Sequence, residues 1–383
     1  MKYPLSSILL VFTLFHATAQ SLDTDSIGSP LAVYRPITIK LQDPLTRHTV
    51  YSPFRHFEIL DQRPDTTRIG FRVYNALIGH GNRQMVLAGQ ASLELSNYLD
   101  THIAGKTSPY TALIVIRALW LSDGTYTLAE ISKDTGNLAN IKTKIRLKAE
   151  VYAERAGIYT PIFRFDSTRM SKTYLYSVVG RDLAGMLNTL ADSAAILLDR
   201  LGNDGKQLTL NEISHFNQSR FNPVICSGNI VLNSGVYRDF QEFKDNAPSI
   251  HNFETTRDKD RLLLYLKQND GTSYYTRGAW GYCDGKTIYV MKDGMLVPVW
   301  KEGKAFYLFG LPEEGGVGRS DQGQSVMVPM AVMTTPVGGA GAHMTGTGFV
   351  SVGGSPYTGT NKPRQDATIK HLFTVDMDTG KLY

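Results

Sequence analysis

The sequence predicts an α+β protein: an N-terminal, mostly antiparallel sheet with a long packed helix, then a second α+β domain built on a β-meander. Three observations carry that expectation. Apolar residues alternate with a period of two through much of residues 31–165. One apolar stripe at helical spacing runs from Val179 to Leu201. Five strand-like runs between residues 261 and 310 are separated by Asp-Gly or Glu-Gly pairs.

Taken in order, the chain opens with "MKYPLSSILLVFTLFHATAQ". Lys2, a largely apolar run from Leu5 to Phe15 and the small-x-small site Ala17-Thr18-Ala19 read as a secretory leader over residues 1–20. The run is too short for a transmembrane span, which needs about 20 apolar residues. No cysteine lies near the cut to carry a lipid. The expectation is export to the periplasm or outer membrane without a lipid anchor. Removing the leader leaves 39 basic against 35 acidic side chains, a net charge of +4. That mild excess does not call for a nucleic-acid partner.

Residues 21–205 are expected to form the sheet-and-helix domain. "LAVYRPITIKL" is strand-like, and Ile69, Phe71 and Val73 alternate with Gly70, Arg72 and Tyr74. Leu95, Leu99 and Ile103 recur every four residues and predict a short helix ending at Gly105. "TALIVIRALWL" suits a central strand, and Asp123-Gly124 turns it into "TYTLAEIS". In "NIKTKIRLKAEVYAE", Ile141, Ile145, Leu147 and Val151 share one parity, with Lys142, Lys144, Arg146, Lys148 and Glu150 on the other. One face should be buried, the other wet and cationic. "GIYTPIFRF" is its expected partner, and the helical stripe should then cover the apolar face.

Residues 206–383 are expected to form the meander domain. Thr209 with Glu212 is a capping-box pair before a short helix. Tyr237, Phe240 and Phe243 suggest another, ended by Pro248. "RLLLYLKQ", "SYYTRGAWGYC", "KTIYVMK", "MLVPVW" and "KAFYLFG" are the strands, and Pro298 suggests an edge or bulge. Between Gly310 and Gly359 fall thirteen of the 35 glycines, so residues 311–366 read as a mobile Gly-rich insertion. "IKHLFTVDMDTGKLY" returns to strand character.

Few motifs carry chemistry. Cys226 and Cys283 could form one disulfide in an oxidising compartment, or stay as two buried thiols. Cys283 has no histidine within 30 residues to act as its base, so it reads as structural. "NDGKQLTLNE" misses the calcium-loop register by one residue, and "EEGGVGRS" lacks the first glycine and the lysine of a P-loop. Asp61, Asp182 and Asp284 are the best carboxylates for acid/base work, but spacing does not pair them. The row Lys142, Lys144, Arg146 and Lys148 could contact an anionic surface. Trp280, Tyr282, Tyr289 and Trp300 could line a carbohydrate or peptide groove. No cofactor or metal is expected.

Two stretches carry a resemblance. "ILDQRPDTTRIGF", followed by a helix, strands and a long final helix, resembles envelope lipoproteins of the YajG type. That implies an envelope module without a catalytic site, although the lipidated cysteine is missing here. "SGVYRDFQEFKDNAPSI", "WGYCDGKTIYVMKDGMLVPV", "AFYLFG" and "LFTVDMDTGKLY", spanning residues 234–383, resemble an uncharacterised family of exported Bacteroidota proteins. The expectation is an exported, non-catalytic interaction protein of the cell envelope, whose partner is another envelope protein or an envelope polymer. The alternatives are a carbohydrate- or peptide-binding module, and a hydrolase whose carboxylates meet only in the fold.

Overall fold

The computed structural model describes residues 34–43, 52–75, 80–105, 107–123, 143–171, 175–200, 206–259, 261–292, 294–310, 326–329 and 371–383. The expected leader, the hairpin strand at 125–132 and the proposed domain boundary near residue 205 lie outside them. Arg35–Tyr383 form one compact unit. The fold is α+β, with two sheets and few helices, as the patterning predicts.

The first sheet uses β1 (Pro36–Ile39), β2 (Phe54–Asp61), β3 (Gly70–Asn75), β4 (His80–Leu87), β5 (Tyr110–Asp123), β6 (Thr143–Arg155) and β7 (Ile158–Ser171). The order is β1-β4-β3-β5-β6-β7, and Val326–Pro329 closes the far edge antiparallel to β7. The long pairings β3/β4, β5/β6 and β6/β7 are antiparallel. Parallel pairings join β1 to β4 and β2 to β5. Two positive-φ residues, Ala156 and Gly157, make the tight β6–β7 hairpin that the sequence anticipates.

Helices α1 (Ala91–His102) and α2 (Tyr176–Leu198) cover one face of this sheet. The stripe Val179, Leu183, Leu187, Leu190 and Ala194 is buried with Ile145, Leu147 and Val151 of β6 and Ile114 and Ile116 of β5. Helix α1 adds Leu95 and Leu99 to the same core. The period-two parity of β6 and the 3.6 period of α2 thus meet on one layer.

Three short helices follow: α3 (Leu210–His215), α4 (Gln218–Phe221) and, after a 3-10 turn at Val224–Cys226, α5 (Phe240–Lys244). The capping box is present: Thr209 N–H donates to Glu212 at 2.7 Å and Glu212 N–H to Thr209 Oγ1 at 3.3 Å. The stretch read as one aromatic helix splits. Gly235–Tyr237 is β8, and only Phe240–Lys244 is helical, with Asp239 accepting from Glu242 N–H.

The second sheet adds β9 (Phe253–Asp258), β10 (Arg261–Lys267), β11 (Ser273–Tyr275), β12 (Gly281–Cys283), β13 (Ile288–Lys292), β14 (Met295–Glu302) and β15 (Ala305–Gly310). β16 is the Val326–Pro329 strand of the first sheet, and β17 (His371–Thr374) pairs with β15. β12-β13-β14-β15 is the predicted meander, whereas β10 skips ahead to β14 and β8 adds itself to β12.

Expectations change at the Asp-Gly turns, at Pro298 and in the Gly-rich stretch. A two-residue Asp-Gly hairpin needs positive φ at both residues, but at Asp270-Gly271 and Asp284-Gly285 only the glycines have it, with φ of 83° and 92°. At the second turn Asp284 Oδ1 accepts from Lys286 N–H at 2.8 Å and Thr287 N–H at 2.6 Å, so a side-chain turn replaces a two-residue hairpin. Pro298 lies in an interior strand, between Leu296, which faces β10, and Trp300, which faces β15. Of the Gly-rich stretch, only Val326–Pro329 is described, and it is a strand rather than loop. No helix among the described residues is long and apolar enough to cross a membrane.

Candidate functional site

A β-bulge sets up the site. β5 pairs with β6 in register until Ile116 meets Ala149; pairing resumes at Ala118 and Lys148, leaving Arg117 as the extra residue. A bulge re-aims its side chain. Arg117 lies among the charged residues of β6: Nη2 and Nε donate to Glu150 Oε2 at 2.7 and 3.1 Å, and both side chains are 1% exposed. Nη2 also donates to Phe216 O at 2.9 Å, and Nη1 to Gln62 Oε1. Asn217, left-handed at the start of α4, donates to Glu150 Oε1 at 2.8 Å.

The face expected to be wet is covered here. Lys148 is buried, and its ammonium donates to Asp376 and, at 3.0 Å, to Asp378. Those acids belong to the turn after β17, where Asp376 O accepts from Gly380 N–H at 2.7 Å. Arg146 pairs with Asp166 and lies 5.3 Å from the Tyr383 ring; Lys144 lies 5.1 Å from the same ring. Lys142 lies outside the described residues. Lys144, Arg146 and Lys148 do share one face. That face is not wet, because the turn that ends at Tyr383 closes over it from more than 200 residues away.

Between this lid and the sheet lies a cavity of about 270 Å³. Arg117, Lys148, Arg164 and Arg220 supply its positive lining; Glu150, Asp166 and Asp378 supply its negative lining; Phe165 and Phe221 are its apolar walls. Three guanidiniums surround the Phe221 ring, Arg117 at 5.0 Å and Arg164 and Arg220 at 5.6 Å each. Arg164 Nε is 3.7 Å from Glu150, and Arg220 pairs with Asp378.

The charges tune one another. Burial lowers the pKa of Arg164, and the neighbouring Arg220 lowers it further. Burial raises Asp166 despite Arg146 and Lys148. Burial would raise Asp378 too, but its bond from Arg220 and the charge of Lys148 win and hold it below the usual carboxylate range. The arrangement can hold a small polar or charged group. Among the described residues no cluster of three or more histidine, cysteine or acidic side chains could hold a metal.

The other candidates lie elsewhere. Trp280 stacks on Phe243 at 4.1 Å in the core with both cysteines. Tyr282 and Tyr289 stack on each other at 5.6 Å in a separate cluster, and Trp300 packs edge-on to Phe309. The four aromatics therefore do not line one groove. Cys226 and Cys283 are buried free thiols in one cluster, without the disulfide. Asp61 pairs with Arg63 at 2.7 Å, Asp182 with Arg169 at 3.3 Å, and Asp284 serves its turn. Sequence reasoning missed Arg117, Glu150, Asp166, Arg164, Arg220 and Asp378 as a group. The one available signal was a glutamate ending a run of basic residues on a single strand face.

No protein-family model and no curated protein matches the chain. Among solved structures it is similar to a Xanthomonas campestris protein of the DUF330 family, at 12% identity, covering 43% of this chain and 97% of that one, with a TM-score of 0.26. It is also similar to an uncharacterized protein at 11% identity, covering 44% and 99%, with a TM-score of 0.23. Likenesses this weak carry no inference about function.

Proposed function

We propose that this chain is an exported cell-envelope protein that binds rather than catalyses, and that the charged cavity is where it engages an envelope protein or polymer. Export rests on the leader-like residues 1–20, and the envelope setting on the resemblances described above. One observation supports binding: each carboxylate lining the cavity is engaged by a cation, Glu150 by Arg117, Asp166 by Arg146 and Asp378 by Lys148 and Arg220. Acids so held favour recognition of a charged group over proton shuttling. Crosslinking the native envelope and purifying this protein tests the reading. A stoichiometric envelope partner is expected; turnover of any envelope polymer by the purified chain would overturn it.

A second reading has its own observation. Three carboxylates line one cavity, and their environments push Asp166 up and Asp378 down. Opposed shifts of that kind mark acid and base partners in hydrolases. If this is the chemistry, Asp166→Asn abolishes polymer cleavage while the fold persists. An envelope polymer left intact by the unaltered protein removes this reading.

A further inference from the structure

Strand β9 lies at an edge of the second sheet. Among the described residues it pairs with β10 alone, in unbroken register from Phe253 opposite Leu266 to Asp258 opposite Arg261. No bulge and no proline interrupts it. Two other edges are covered. Val326–Pro329 and a bridge from Leu208 close β7, and a bridge from Ile250 closes β8. On β9 the residues from Thr255 to Asp258 are exposed. A bare edge of this kind is a template for another strand.

The hydrogen-bond phase of the β9–β10 hairpin fixes which groups face outwards. Lys267 N–H donates to Asn252 O at 3.1 Å. Bonded pairs alternate with unbonded ones in an antiparallel ladder. Glu254, Thr256 and Asp258 therefore bond to β10, while Phe253, Thr255 and Arg257 aim their N–H and C=O groups away from it. Two copies of one strand pair antiparallel only about a two-fold axis normal to the sheet, which keeps each side chain on its own face. A register centred on Thr255 meets that condition and uses every outward group: Thr255 faces its own copy, and Phe253 faces Arg257. Charge selects the same register. Arg257 meets the Phe253 ring, which Tyr282 holds with centroids 5.0 Å apart. Glu254 meets Thr256 and Asp258 meets Asn252, so no like charges stand opposite each other. Centring on Thr256 instead would set Glu254 against Asp258 on both sides of the axis. Glu254 is also balanced by Lys267 at 3.3 Å.

We infer that β9 is a self-association surface, and that two copies of this chain join edge to edge there into one continuous sheet. The contact is isologous, so it closes at two copies and does not propagate. An edge of 6 residues is short for a permanent interface, so the dimer is reversible and concentration-dependent. No residue of β9 lines the charged cavity. The inference goes beyond the binding reading, and neither depends on the other.

The test is sedimentation equilibrium of the full chain over a wide concentration range, and a monomer–dimer equilibrium is expected. Thr255→Pro removes an N–H that β10 does not use, and proline is tolerated on an edge strand. It should weaken the dimer by about tenfold or more, because the two reciprocal bonds at the axis are lost. Thr255→Cys supplies a second readout if that variant fails to fold. The Cα atoms of a bonded pair lie about 5.5 Å apart, within disulfide reach, so mild oxidation should link two copies. Thr256→Cys, one residue along and on the opposite face, should stay unlinked. The native Cys226 and Cys283 are buried and do not compete. A chain that stays monomeric at every concentration overturns the inference. So does a dimer that Thr255→Pro leaves intact, or one in which Thr255→Cys links no faster than Thr256→Cys, since another surface then holds it.

Discussion

Gly70 stands where β3 reaches β5. Its φ is +146°, and a Cβ there would lie 1.9 Å from Leu121 O, the residue it pairs with. Backbone cannot yield as a flexible side chain can. Gly70→Ala should destabilise the fold by about 3 kcal/mol or more, read as a lower urea midpoint; a midpoint unchanged from the parent would show that the two strands can part freely. The cysteines make a second residue-scale case. Burial pushes Cys226 up to about 11 and raises Cys283 as well. Thiolate is the reactive form. Both should resist iodoacetamide at pH 8 in the native chain and react promptly in urea; fast native labelling of either would contradict their placement.

At the scale of elements, the β5 bulge turns Arg117 into the middle of a buried ion pair. Removing one partner of such a pair costs about 3–5 kcal/mol, while replacing both by apolar residues can be neutral. Arg117→Met should therefore lower stability by that amount, and Arg117→Met with Glu150→Met should recover much of it. A double-mutant cycle measures this; additive losses would mean the pair is not the unit that matters. Helix α2 behaves differently, since its stripe contributes by burial alone. Leu187 is 1% exposed, and Leu187→Ala should cost about 2–5 kcal/mol. The parity of β6 and the stripe of α2 were legible because each is a local period. The bulge was not, since nothing in "TALIVIRALWL" marks Arg117 as the residue that skips a partner.

At the scale of the whole fold, burial raises eight tyrosines among the described residues, at 98, 152, 159, 237, 282, 289, 307 and 383, along with both thiols. A group raised in the folded state gives stability that is whole below its unfolded value and lost as pH rises through the folded one. Cys226 ordinarily titrates at 9.0, so its share falls between pH 9 and about 11, on the order of 2–3 kcal/mol. The tyrosines, ordinarily at 10.0, extend the loss upward. Denaturation at pH 8 and 10.5 should show a marked drop. Asp378 works with the opposite sign. Its lowered pKa gives stability present above about pH 4 and lost as pH falls through the folded value. Asp166, raised by burial, partly offsets that loss. Asp378→Asn should flatten the acid limb; an unchanged limb would mean that the last turn does not hold the lid at low pH.

The sequence by itself determined the class of the fold and much of its local grammar. Alternation named the strands, the stripe named the long helix and its buried face, and Thr209 with Glu212 named a cap. Each of these is a property of neighbours within a few residues. Tertiary structure decided the rest: that β10 pairs with β14, that Val326–Pro329 joins the first sheet, and that Asp376 and Asp378 close over Lys148. The same separation hid the candidate site. Its charges come from β5, β6, β7, α4 and the final turn, and no periodicity in one stretch records which distant segment will cover a charged face. Burying a charge is tolerable only when a partner arrives with it, and that partner is chosen by the path of the whole chain.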